Sequence, residues 1–399
     1  MALMERPTFG PIDFKTRFTA LDGIRALAVT IVFLGHYGGG SHGGGALQAF
    51  NRIRLYGHIG VDVFFVLSGF LITGILFDTR FDSKFFSRFF GRRTVRIFPV
   101  VYLVFLVVLL LTPIFHFQWR WQHATFLLYL GNFFGNADFS IYELRAANPA
   151  ANAYFGHLWS LCVEEQFYFI WPAVVWFVKD RVKLIWLTAG VSVFTLLLRA
   201  GMCLVVTPHT AETWIVRTLP FRLDDLMFGA LLALLLRGPA AHKVQRSMKW
   251  LFLGGMIGFI LVSRYSAPSI GFGTLTIGMT AIGLASMGLI GATLHPTFIA
   301  HRIFNVRAFR VLGKYSYGFY VWHLIWWKAW IQLLVVVMAK THSVLLGGLV
   351  ELPLAFATTF LVAKLSYDLF EVRFLRLKRR WEYDTELITH KTAFDADGN

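Results

Sequence analysis

The sequence predicts an all-α polytopic membrane protein. Three observations carry this. Of the 399 residues 56% are apolar and only 15% are charged, against about a quarter in ordinary soluble domains. Apolar runs of spanning length recur from residue 21 to residue 370, and a crossing helix needs roughly 20 such residues. Basic residues then gather in alternate loops between the runs, the signature of a sided membrane protein.

The runs lie near 21–38, 58–77, 97–113, 157–178, 184–206, 220–236, 250–263, 271–291, 315–338 and 346–370. A shorter run at 121–134 contains Gln122, His123 and Asn132 and is expected to be re-entrant or interfacial. With that run not crossing, one set of loops holds 26 Lys and Arg and the other 8. With it crossing, the bias would largely cancel. The expectation is therefore about ten spans with both termini cytoplasmic. Residues 1–380 read as one transmembrane domain and 381–399 as a polar cytoplasmic tail.

The net charge of +16 follows from those loops, so nucleic acid is not expected as a partner; no basic stripe with spaced aromatics lies outside the spans. Cys162 and Cys203 both fall in apolar runs, which argues against a disulfide framework. No cleavable leader and no internal repeat is evident. Membrane lipids are the expected surroundings, and a homo-oligomer is compatible with the pattern.

Polar groups inside spans need a partner or a function. In the first span Asp22 and Arg25 are three residues apart and can pair. Arg25 and His36 are eleven apart, which puts them on one stripe with about 16 Å between them along the axis. His58 and Asp62 open the second span, and Ser68 and Gly69 further along it suit close helix packing. His157, Ser160 and Glu164 share a face at i, i+3 and i+7, with Glu165 beside it. Arg222, Asp224 and Asp225 open the sixth span; Tyr315, Tyr317 and His323 lie in the ninth. The 84–96 segment alternates Phe with Arg88, Arg92, Arg93 and Arg96. It reads as an amphipathic stretch on the cytoplasmic leaflet that contacts lipid phosphate or clamps a phosphorylated ligand. The polar groups thus form an outer cluster of His and carboxylates and an inner cluster of Arg.

Seven segments together are similar to a known family: LDGIRALA at 21–28 with His36 beyond it, GVDVFFVLSGFLI at 60–72, RRTVRIFP at 92–99, HLWSLCVEEQFY at 157–168, FRLDDLMFG at 221–229, GKYSYGFYVWH at 313–323 and LSYDLFE at 365–371. The chain resembles the membrane acyltransferase-3 family, which contains bacterial O-antigen and peptidoglycan O-acetyltransferases and macrolide acyltransferases. The resemblance departs at Arg373, where the family usually has proline, and no hydrolase-like domain is seen after the spans.

The resemblance implies a multi-pass protein of the bacterial inner membrane. It implies an acyl-CoA donor, expected to be acetyl-CoA, on the cytoplasmic side and a carbohydrate-type hydroxyl acceptor on the far side. It implies that His36 is the catalytic histidine and that Arg25 and the cluster Arg92, Arg93 and Arg96 serve the donor. Beside it the residues themselves suggest Glu164 as the group that orients His36 or stabilises its imidazolium, and His58, Asp62, Ser160 and Asp224 as acceptor contacts. No metal is expected: the spacing of His36, His42 and His58 fits no established ligand pattern. The rival reading is a transporter or flippase of a glycoconjugate that uses intramembrane His and Glu as a proton relay.

Overall fold

The computed structural model describes residues 18–37, 54–115, 119–134, 155–266, 271–325 and 327–383. The expectations for His42 and for the tail beyond residue 383 lie outside these. In chain order the helices are α1 (Thr19–His36), α2 (Ile59–Asp78), α3 (Phe85–Phe115), α4 (Trp121–Leu127), α5 (Gly131–Phe134), α6 (Trp159–Val178), α7 (Arg181–Val205), α8 (Pro208–Arg217), α9 (Leu223–Leu235), α10 (Ala241–Tyr265), α11 (Met279–Thr293), α12 (Ile299–Phe304), α13 (Arg307–Trp322), α14 (Trp327–Thr341), α15 (Val344–Ser366) and α16 (Val372–Arg376). No strand occurs among the described residues. This is what a bilayer demands, because a helix satisfies its own backbone.

Eight helical stretches among the described residues are long and apolar enough to cross a bilayer. The sixth and ninth expected spans differ from the pattern. The first is the 13-residue α9, only about 20 Å long. It is sheathed by α2, α7 and α11, so it meets neighbouring helices along most of its length. The other is broken: α13 ends at Trp322, residues 323–325 turn, and α14 resumes at Trp327. Non-helical backbone at such depth is tolerated where protein surrounds it. The Tyr37 hydroxyl donates to the carbonyl of His323 at this break.

The 84–96 stretch does not turn off onto a membrane surface. It is the first part of the 31-residue α3, which at about 46 Å exceeds the roughly 30 Å hydrocarbon core. Phe85 and Phe89 on this stretch are buried, and that burial holds it in line with the span. The 121–134 run folds as α4 and α5, of 7 and 4 residues, each too short to cross.

Packing is closest where glycine faces glycine-sized space. A Cβ on Gly69 of α2 would fall 1.9 Å from the Leu226 carbonyl oxygen, and one on Gly229 of α9 would fall 1.9 Å from that of Val66. α1 packs on α13 in the same way: a Cβ on Gly313 would lie 1.7 Å from the Asp22 oxygen. These approaches draw α1, α2, α9 and α13 together around the polar interior described next.

Candidate active site

α1 ends at His36, and the Tyr37 backbone N–H closes the last turn on Phe33 at 3.1 Å. The His36 ring turns back onto its own helix, with Nδ1 2.8 Å from the Val32 carbonyl oxygen. A carbonyl oxygen only accepts, so Nδ1 carries the proton and Nε2 keeps its lone pair. The backbone carbonyl of His36 accepts from the Trp327 indole at 3.1 Å. The side chain is half-buried.

Two further histidines stand behind it. The His36 and His323 rings are 5.2 Å apart at 64°, and His157 is 5.0 Å beyond His323. His323 Nδ1 donates to the Tyr320 carbonyl at 2.6 Å, and His157 Nε2 donates to that of Val321 at 3.0 Å. Among the described residues no group of three His, Cys, Asp or Glu is arranged to hold a metal ion.

Further into the helix bundle lies a cavity of about 110 Å³ lined by Ser68, Arg93, Ser160, Glu164, Tyr168 and Tyr320, with Arg25 and Arg96 at its other end. Tyr320 closes its histidine side. Its hydroxyl donates to the His157 carbonyl at 2.6 Å and shares a 2.5 Å bond with Ser160, and its ring lies 5.4 Å from His323. A second cavity of about 470 Å³ adjoins the first and shares Arg25, Leu71, Arg96 and Tyr317 with it. Its walls carry five cations, Arg25, Arg96, Arg237, Lys314 and Lys378, against three carboxylates, Asp22, Asp78 and Glu371. Asp22 already pairs with Arg25 at 2.6 Å and Asp78 with Arg237 at 2.7 Å. The surplus cations suit a ligand with several negative charges.

The expected site residues are distributed as follows. Arg25, Arg93, Arg96, Ser160 and Glu164 meet around the smaller cavity. Arg92 lines neither cavity; it reaches the Trp381 carbonyl at 3.3 Å and lies under the Tyr383 ring. Glu164 is not the group that orients His36. It bonds Ser68 and Tyr168 and faces Arg93 and Arg96, while the Val32 carbonyl holds the histidine. The physical reason is that each group already has a partner close by: Ser68 and Tyr168 take the carboxylate, and the histidine's own helix takes its ring.

His58, Asp62 and Asp224 belong to a different place. Asp62 pairs with Arg222, which also meets Asp225 at 3.0 Å. Asp224 takes both arms of Arg199, at 3.0 and 2.5 Å. His58 faces the charges of Asp62 and Arg222. The residues that sequence reasoning did not place in a site are His157, His323, Tyr168, Tyr320, Lys314 and Lys378. For His157 a signal existed in its shared face with Ser160; for Lys378, which follows the last span, there was none.

The class is thus a polytopic helical membrane protein whose interior holds a cationic cavity, an adjoining polar cavity and, beside Tyr320, a group of histidines. The profile of a family described as an acyltransferase domain matches residues 18–367, and the chain belongs to that family, the acyltransferase-3 family to which its motifs pointed. It is 30% identical over 371 residues to the peptidoglycan O-acetyltransferase OatA of Listeria monocytogenes, covering 88% of this chain and 55% of that protein. It is 29% identical over 325 residues to the O-acetyltransferase OatA of Staphylococcus aureus, covering 76% and 49%. The chain therefore spans about half the length of these relatives. No solved structure matches it.

Proposed function

We propose that the chain is a membrane O-acetyltransferase of the bacterial inner membrane, moving acetyl from a cytoplasmic acyl-CoA to a carbohydrate hydroxyl on the opposite side. Peptidoglycan is the acceptor class that the name of the Listeria relative carries. The observation that supports this most is the pair of joined cavities, which run from the cations Arg96, Lys314 and Lys378 to Tyr320 beside the histidines. Phosphates of the donor would lie against Arg25, Arg93 and Arg96, where charge-assisted hydrogen bonds are strongest. The pantetheine arm would follow the smaller cavity past Glu164 and Ser160.

His36 then acts as general base. As the acceptor oxygen attacks the thioester carbon, its proton passes to His36 Nε2, the nitrogen that keeps its lone pair. The new C–O bond forms, the C–S bond breaks, and the proton moves on to the departing sulfur. The half-buried position of His36 at the end of α1 leaves it open to an acceptor, with the protein at its back.

His36→Ala tests this. Acetyl transfer should fall by at least about 100-fold, the low end for a lost general base. Acetyl-CoA affinity should persist, because the phosphate contacts lie about 16 Å away along α1. The assay follows radiolabelled acetyl-CoA in liposomes holding the full chain, with an N-acetylglucosamine tetrasaccharide as acceptor. Normal turnover by the variant would refute the role of His36. A wild type that leaves the thioester intact but carries a glycoconjugate across the bilayer would favour the transporter.

A further inference from the structure

Basic side chains continue from the larger cavity onto the open surface. Lys314 and Tyr317 of α13 line that cavity. Towards the start of the same helix their stripe runs on through Arg310 and Arg307, because positions 307, 310, 314 and 317 follow one another at three- and four-residue steps. Arg307, Arg310 and Lys314 are all exposed. Arg310 precedes Lys314 by one turn, about 6 Å of rise, and Arg307 precedes it by about 10 Å.

Local energetics do not favour this row. Among the described residues no carboxylate pairs with Arg307 or Arg310, and the first turn of α13 holds no acidic residue. Cations at the start of a helix face the positive end of its dipole, and like charges three and four residues apart repel. The helix is therefore less stable for carrying them. The charge bias of membrane proteins asks for basic residues somewhere in this segment, but it does not align them with a cavity wall. Such a row complements an extended polyanion, and the cavity it leads into carries a surplus of the same sign.

We propose that Arg307 and Arg310 form an encounter surface for the polyanionic donor: its phosphates settle first on this stripe and then pass along it to Lys314 and the cavity. This rests on the donor reading given above. The two arginines do not line the cavity, so they speed arrival without holding the bound donor. Steering by a whole charged face raises association rates by about 10- to 1,000-fold, and it reaches only about 8–10 Å at physiological salt. Arg310 lies well within that reach of Lys314, and Arg307 lies at its limit.

The test follows binding of the fluorescent etheno-adenine analogue of acetyl-CoA, by stopped flow, to the full chain in nanodiscs of neutral phosphatidylcholine. Arg307→Gln with Arg310→Gln should lower the association rate by about 3- to 10-fold in about 50 mM salt, a part of what the whole face supplies. The dissociation rate should stay within about twofold, since steering acts on arrival. In about 1 M salt, where the Debye length falls to about 3 Å, variant and wild type should converge. Lys314→Gln, in the cavity wall, should instead raise the dissociation rate. Lys183→Gln with Lys243→Gln removes the same charge from exposed sites on α7 and α10. Neither helix lines the cavity, so this pair should leave the association rate unchanged. An unchanged association rate in the arginine variant would overturn the proposal. So would an equal fall in the lysine pair, which would mean that net charge alone acts. A fall confined to discs containing phosphatidylglycerol would also overturn it, because the arginines would then serve anionic lipid. A wild type that binds no analogue would sink the donor reading and the proposal with it, whereas binding with unaltered arrival sinks the proposal alone.

Discussion

Replacing Asp224 with alanine should cost stability rather than acceptor binding. Asp224 and Arg199 are both fully buried. The guanidinium meets the carboxylate at 3.0 and 2.5 Å, with Thr280 and the Phe221 carbonyl as its only other hydrogen-bond partners among the described residues, at 2.5 and 3.1 Å. Asp224→Ala leaves a cation inside the bundle with two neutral contacts. Removing one partner of a buried pair costs about 3–5 kcal/mol. At 1.36 kcal/mol per decade that is roughly a 10²- to 10⁴-fold loss in the folding constant. Replacing both residues, as Arg199→Met with Asp224→Leu, removes the stranded charge and should restore most of the loss. The assay is thermal unfolding of the purified full chain in detergent, beside KM for the tetrasaccharide. An Asp224→Ala variant as stable as wild type but with a raised acceptor KM would refute this reasoning and return Asp224 to the acceptor site.

Among the cations, Arg96→Ala should weaken acetyl-CoA binding by about 10-fold or more, the value of a charged hydrogen bond; Arg92→Ala, whose side chain reaches Trp381 and Tyr383 instead, should change it by less than about threefold. Calorimetry on purified protein measures both. The charge bias predicts sidedness: single cysteines at Lys84 and at Thr210 should be labelled from opposite faces of sealed vesicles, and labelling from one face would refute the assigned topology.

The helical membrane character was legible because it depends on composition and on charge placement, which act through the bilayer without tertiary detail. The inner cluster was partly legible, because Arg25 and Arg96 sit on helix faces whose phase can be counted. What escaped were the partners across helices. Glu164 shares a face with His157 and Ser160, and with Tyr168 one turn on, yet phase does not reveal what stands opposite, and Ser68 of α2 stands there. Asp62 meets Arg222 across 160 residues of chain, a pairing no local pattern encodes. The break after Trp322 was hidden for the same reason: residues 319–330 contain neither glycine nor proline, so the stop comes with contacts from α1. The close-packing expectation holds at Gly69, because small residues report closeness without naming the neighbour, whereas Ser68 beside it lines the smaller cavity.

That closeness yields a prediction in which the substitution is the same and the surroundings decide. Gly69 and Gly190 both lie within helices. A methyl on Gly190 would meet nothing within 4 Å, whereas one on Gly69 would fall 1.9 Å from the Leu226 carbonyl oxygen. Backbone cannot yield as a flexible side chain can, so α2 and α9 must separate. Intrinsic propensity favours alanine over glycine in a helix by about 1 kcal/mol, and Gly190→Ala should gain up to that amount. Gly69→Ala should instead lose about 1–3 kcal/mol, the usual range for overpacking. It should also disturb the cavity, because Ser68, bonded to Tyr168, is the adjacent residue. Thermal unfolding of the two variants in the same detergent separates these effects. Equal shifts would mean that propensity dominates and that the α2–α9 contact is looser than a single methyl group. Opposite shifts, with acetyl-CoA affinity reduced only in Gly69→Ala, would tie the packing of two backbones to the shape of the cavity proposed for the donor.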